Sequence, residues 1–134
     1  MAAHSIGPSA LLKLEELASW LKETAEMKEE EKNIFRCVDS DRHMKLRPLL
    51  DELKYSQIKG HGYTMYRIAG KAEINITPKY RSFLFPLTVG SRKDAPSNEL
   101  EILGVRLSPG NFIPITCNLV LDTQLDLSRC VVPP

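Results

Sequence analysis

The segment from Cys37 to Lys45, CVDSDRHMK, gathers a thiol, two carboxylates, an imidazole and a thioether in one short run. No other stretch of the chain brings together as many different kinds of group able to hold a cation or move a proton. Asp39 and Asp41 stand in the D-x-D spacing that opens a calcium loop. Such a loop needs glycine at its sixth position and a bidentate glutamate at its twelfth. Counted from Asp39, those positions hold Met44 and Leu50. A zinc site needs more cysteines or histidines at fixed spacing. Only Cys37 and His43 are local, and His4 and His61 would have to converge from a distance. The expectation is a polar connector between two helices, with Ser40 or an aspartate acting as a cap.

Other catalytic signatures are missing. There is no phosphate-cradling G-x-x-x-x-G-K-[ST], no G-x-S-x-G elbow and no H-E-x-x-H. A cysteine nucleophile needs a histidine partner and a raised thiolate fraction. Cys117 sits in an alternating apolar run, which predicts burial and inertness, whereas Cys130 near the C-terminus is expected to be exposed. Three cysteines without C-x-x-C spacing read as reduced thiols, which points to a cytoplasmic or nuclear setting. No catalytic residue, metal ligand set or cofactor is assigned.

One cluster leans toward binding. Lys79, Tyr80 and Arg81 stand together at a strand turn, and Arg67, Lys71, Arg92 and Lys93 are expected nearby. Basic residues beside aromatics on a sheet can hold single-stranded nucleic acid, though no RNP-type motif accompanies them. The net charge of +1 supplies no global attraction for a polyanion.

The elements that must position these groups follow from periodicity. Ser9 to Phe35 predicts a first helix, about 9–35, capped by Ser9. Leu11, Leu14, Ala18, Leu21 and Ala25 repeat at 3-4 spacing, and Leu17 and Trp20 widen the stripe. A second helix is expected at about 47–58, with Pro48 in its first turn, where its missing N–H costs nothing. Beyond Gly62 the period becomes two. Four or five strands are expected, at about 63–77, 80–89, 99–107 and 112–122. The first is read as one long strand bent or bulged at Gly70, because a hairpin at Gly70-Lys71 would mix apolar and polar residues on a face. In 80–89, Phe83, Phe85, Leu87 and Val89 share a face, and Pro86 marks an edge strand. Ser108-Pro109-Gly110-Asn111 predicts a hairpin between 99–107 and 112–122. The segment 125–134 is read as a short final strand or a tail.

At 134 residues the chain is the size of one domain. Helices (1–60) followed by strands (61–134) make it α+β with a mainly antiparallel sheet. That order resembles small viral matrix or accessory proteins that self-assemble, an analogy of fold alone. The expected function is a non-enzymatic structural or interaction protein. It would self-associate, or bind a protein partner, through Leu14, Leu17, Trp20 and Leu21 on a helix projecting beyond its own domain. The alternatives are a weak nucleic-acid-binding module and an enzyme whose site forms only in three dimensions. No apolar run is long enough to span a membrane.

Overall fold

Pro8 opens the first helix rather than Ser9. In the computed structural model, which describes residues 3–76, 79–89 and 100–133, a two-residue strand β1 (His4–Ser5) leads into α1 (Pro8–Glu23). Gly7 is the N-cap and Pro8 takes the first turn, where a missing N–H is harmless. Leu14, Leu17, Ala18 and Leu21 are buried along one stripe, as their spacing requires. The helix does not run on to Phe35. It ends where the Thr24 and Ala25 N–H groups both donate to the Trp20 carbonyl.

A hairpin replaces the rest of the expected helix: β2 (Met27–Glu31) and β3 (Ile34–Cys37), turned at Lys32-Asn33. Asn33 holds φ at +67°, a left-handed conformation that asparagine tolerates better than most residues. The charged run Lys28–Glu31 lies along the open edge of the sheet, where charge discourages pairing with another chain. Next comes α2 (Arg42–Glu52), which starts five residues before its expected onset, so Pro48 lies inside it. A 3-10 turn, Tyr55–Gln57, carries the chain to β4 (Gly62–Ile68).

The remaining strands are β5 (Lys71–Ile74), β6 (Arg81–Val89), β7 (Leu100–Ile102), β8 (Val105–Leu107), β9 (Asn111–Ile115), β10 (Leu119–Asp122) and β11 (Leu125–Val132). The fold is α+β. Its main sheet has seven antiparallel strands in the order β1-β9-β6-β11-β4-β3-β2. Two small pairs, β5-β10 and β7-β8, complete it. One face of the main sheet packs on α1 and α2 through Met65, Phe85, Leu87 and Cys130. The other packs on the small pairs through Ile68, Leu84, Ile113, Leu125 and Leu127. Burial on both faces removes the alternation that a half-exposed strand would show.

Several strand expectations change. The segment 63–77 is neither one strand nor a hairpin: β4 pairs with β3 and β11, while β5 leaves that sheet and pairs with β10. The break falls at Ala69-Gly70, where the β2-β3 turn docks. The Ala69 N–H donates to the Asn33 carbonyl, and the Asn33 carboxamide donates to the Lys71 carbonyl at 2.9 Å. The segment 99–107 is itself a hairpin, β7-β8, because Leu103 (φ +53°) and Gly104 (φ +77°) form a tight turn with both central residues left-handed. With β8 paired to β7, the expected hairpin across Ser108–Asn111 does not form. That turn closes, with the Asn111 N–H on the Ser108 carbonyl, but β9 joins β6 and β1 instead.

Pro86 is not on an edge strand, since β6 lies between β9 and β11. It sits at a bulge. Leu127 faces Pro86 while Asp126 faces Thr88, so Leu87 is the extra residue. On its other side β6 pairs with β9 only over Ser82–Leu84, so no ladder bond is required of Pro86 there. The bulge also turns Val89 away from Phe83, Phe85 and Leu87 to the opposite face. Finally, 125–132 is no tail. It is the strand β11, paired on both sides.

Candidate functional site

The segment Val38–Asp41 joins β3 to α2, so the connector links a strand to a helix rather than two helices. Asp39 organises it. Its carboxylate accepts from the Asp41 N–H and the Glu26 N–H, both at 2.9 Å. Those two backbone bonds hold its carboxyl below the ordinary range. Asp41 is the N-cap of α2 but makes no side-chain capping bond.

Because the chain turns away after Cys37, β3 covers only Tyr66–Ile68 of β4. The first half of β4, from Gly62 to Met65, keeps β11 on one side and, among the described residues, has no strand on the other. The gap becomes a cleft of about 450 Å³ between β4 and the start of α2. Its walls include Arg36, Cys37, Arg42, His43, His61 and Tyr63. Arg36, Arg42, His43 and His61 all stand on its walls, Arg36 on the sheet face shared by Ile34 and Tyr66 and Arg42 and His43 at the start of α2 on the other, and none of the described residues lining it is a carboxylate.

Each group has a defined setting. Arg42 donates one N–H to the Asp39 carbonyl at 2.8 Å. Arg36 is exposed and makes no ion pair among the described residues. His61 Nδ1 lies 2.7 Å from the Ile58 carbonyl, which can only accept; the proton is assigned to Nδ1 and the neutral ring keeps its lone pair at Nε2. His43 packs edge-on against Tyr63, with ring centroids 5.4 Å apart. The Tyr63 hydroxyl is buried and meets no hydrogen-bond partner among the described residues. Burial pushes the Cys37 thiol above its ordinary range, so it is a poor source of thiolate. Among the described residues no three His, Cys, Asp or Glu side chains group so as to hold a metal ion.

The other cysteines exchange their expected places. Cys117 is exposed in the turn between β9 and β10, because the apolar run breaks there into two strands. Cys130 is buried on β11, and desolvation pushes its thiol to about 12.

The residues expected to bind nucleic acid are dispersed. Arg67 faces α1, donating to both oxygens of buried Asp126 at 2.9 and 3.2 Å and to the Leu21 carbonyl at 2.9 Å. Lys71 lies in β5 opposite Asp122. Lys79 and Tyr80 precede β6, and the Arg81 guanidinium sits 5.6 Å from the Phe83 ring centroid. Along β11, Arg67 is opposite Asp126 and Arg81 opposite Val132. Six residues of strand separate them by roughly 20 Å. Arg92 and Lys93 lie outside the described residues.

The apolar stripe is covered by its own chain. Leu14, Leu17 and Leu21 are buried against α2 and the sheet, and Trp20 is half-buried against the same cluster. The helix is shorter than expected and lies along the sheet instead of projecting beyond it. Neither Arg36 nor Arg42 was marked by motif or spacing; they line one cleft with His61 because of the pairing gap beside β4.

Compared with protein-family models, curated proteins and solved structures, the chain matches none of them. No helix among the described residues is long and apolar enough to cross a membrane.

Proposed function

We propose that the chain is a non-enzymatic interaction protein whose binding surface is the basic cleft beside β4 and whose partner presents acidic groups. The observation that carries this is a cavity walled by Arg36, Arg42, His43 and His61 with no lining carboxylate among the described residues. Arginine offers a planar fork of donors suited to oxyanions. On the connector, the Asp39 carboxylate already accepts two backbone N–H groups. The raised Cys37 thiol argues against cysteine nucleophilic catalysis.

The test is retention of the whole chain on a polyanion matrix over a salt series. Retention should weaken steeply with salt, as counterion release requires. Arg36→Gln combined with Arg42→Gln should abolish most of it, while Lys79→Gln with Arg81→Gln should change little. The reverse pattern would move the binding surface to the Tyr80 end of the sheet.

Self-association remains a second reading, supported by different residues. Leu12 (63% exposed) and Met44 (62% exposed) stand on the outer surfaces of the two packed helices. Two such residues make a small apolar contribution to an interface between copies.

A further inference from the structure

The open half of β4 leaves a stretch of sheet edge that no described strand covers. The Ala69 N–H donates to the Asn33 carbonyl. The alternation of a strand therefore turns the N–H and carbonyl of Arg67, Met65 and Tyr63 toward the β3 side. The β3 ladder ends at Arg36, opposite Tyr66. Beyond it, among the described residues, no strand meets the Tyr63 N–H and carbonyl. Unpaired backbone groups along a sheet edge are a template for another strand. The outer edge of the sheet is guarded by Lys28, Glu29, Glu30 and Glu31 in β2, whereas the open half of β4 reads Gly-Tyr-Thr-Met and carries no charge. A strand laid in line with β3, opposite Gly62–Met65, runs for roughly 13 Å, and the cleft of about 450 Å³ lies along that edge.

The walls select the kind of strand. Successive side chains of an extended guest point to opposite faces of the sheet. A guest residue opposite Thr64 shares the face of Arg36, which stands one pleat further along, opposite Tyr66. Guest residues opposite Tyr63 and Met65 point to the other face, where Arg42 and His43 line the cleft and the His43 ring packs on Tyr63. A carboxylate on either face therefore meets a cationic wall, and no described lining residue is a carboxylate that would repel it. We propose that the first half of β4 receives a short, extended, acidic segment of a partner protein, added as a strand in line with β3. This rests on the reading that the cleft takes an acidic partner. Main-chain bonds to Tyr63 hold the segment, and the arginines on the two faces select its side chains.

The whole chain is titrated at low salt with a short peptide alternating threonine and glutamate, and with its counterpart carrying lysine for glutamate. The amide hydrogen exchange of Tyr63 is followed in both titrations. In the unbound chain the Tyr63 amide should exchange freely, whereas the Thr64 amide, turned toward β11, should be protected. With the glutamate peptide at about 100 times its Kd, exchange at Tyr63 should slow about a hundredfold. The lysine peptide should leave it unchanged. Arg36→Gln combined with Arg42→Gln should weaken the glutamate peptide about tenfold or more, as loss of charge-assisted contacts does. The exchange measurement uses the unaltered chain, so it decides the matter even if that variant unfolds. The inference is overturned if the glutamate peptide binds without protecting the Tyr63 amide, or if the lysine peptide protects it equally. It is also overturned if the chain alone protects that amide as its concentration rises, since the added strand then belongs to a second copy. If the peptide fails while polyanion retention through Arg36 and Arg42 persists, the acidic-partner reading stands without strand addition. Failure of both removes both.

Discussion

At the scale of single residues, the ion pair of Arg67 and Asp126 shows why charge alone does not mark a binding surface. Arg67 was a candidate nucleic-acid contact, yet its guanidinium ties the end of α1 to β11. The bonds to Asp126 hold it charged, above its ordinary range. Asp126 is buried, so Arg67→Met leaves a carboxylate without its partner. The expected loss in denaturant unfolding is about 3 kcal/mol, the lower end for a broken buried pair because Arg67 is partly exposed. An unchanged unfolding midpoint would contradict that. Asp39 has a pH signature. Its carboxyl is held below the ordinary value of 3.8, so the anchoring is present above that value and is lost as pH falls through the lower folded value. Thermal midpoints should therefore drop less steeply in acid for Asp39→Asn than for the wild type. Neither role was legible in the sequence, because partners such as Glu26 and Asp126 are identified only by the fold.

At the scale of elements, legibility tracked how many faces are buried. The stripe of α1 was legible because one face is covered and the other is wet. The central strand β11 was not: both faces are buried and Asp126 and Ser128 interrupt its apolar pattern. The hairpin β2-β3 was hidden by a charged run that suits a solvated helix as well as an edge strand. Gly70 was legible as a break but not for the right reason. Its φ is not left-handed; a Cβ there would lie 3.1 Å from the Asn33 carboxamide. That carboxamide is held by the Lys71 carbonyl, so yielding costs the bond. Gly70→Ala should destabilise by about 1 kcal/mol, the worth of one such hydrogen bond, and Gly70→Val by more. Equal stability of Gly70→Ala and the wild type would show that the turn gives way freely. Leu17→Glu tests the stripe as core. A charge among fully buried side chains should unfold the chain or cost several kcal/mol, about 4 or more. Leu12→Glu with Met44→Glu should leave the fold intact and lower the solution mass only if the helices' outer surfaces join copies.

At the scale of the whole molecule, a net charge of +1 conceals a local concentration of cations. The cleft exists because β3 pairs with only the second half of β4 and α2 begins beside the gap. Such a site depends on strand register, which motif and spacing do not reveal. The three histidines offer a built-in comparison. His43 and His61 line the cleft, whereas His4 packs on Phe112 at the β1 edge, 5.3 Å between ring centroids. Four strand spacings separate β1 from β4 in the sheet, roughly 19 Å. The most direct measurement is therefore an NMR titration of the histidine ring protons with a short polyanion at low salt. The cleft account predicts that the His43 and His61 signals shift together and saturate while His4 stays in place. Movement of His4 alone, or of all three in proportion, would contradict it.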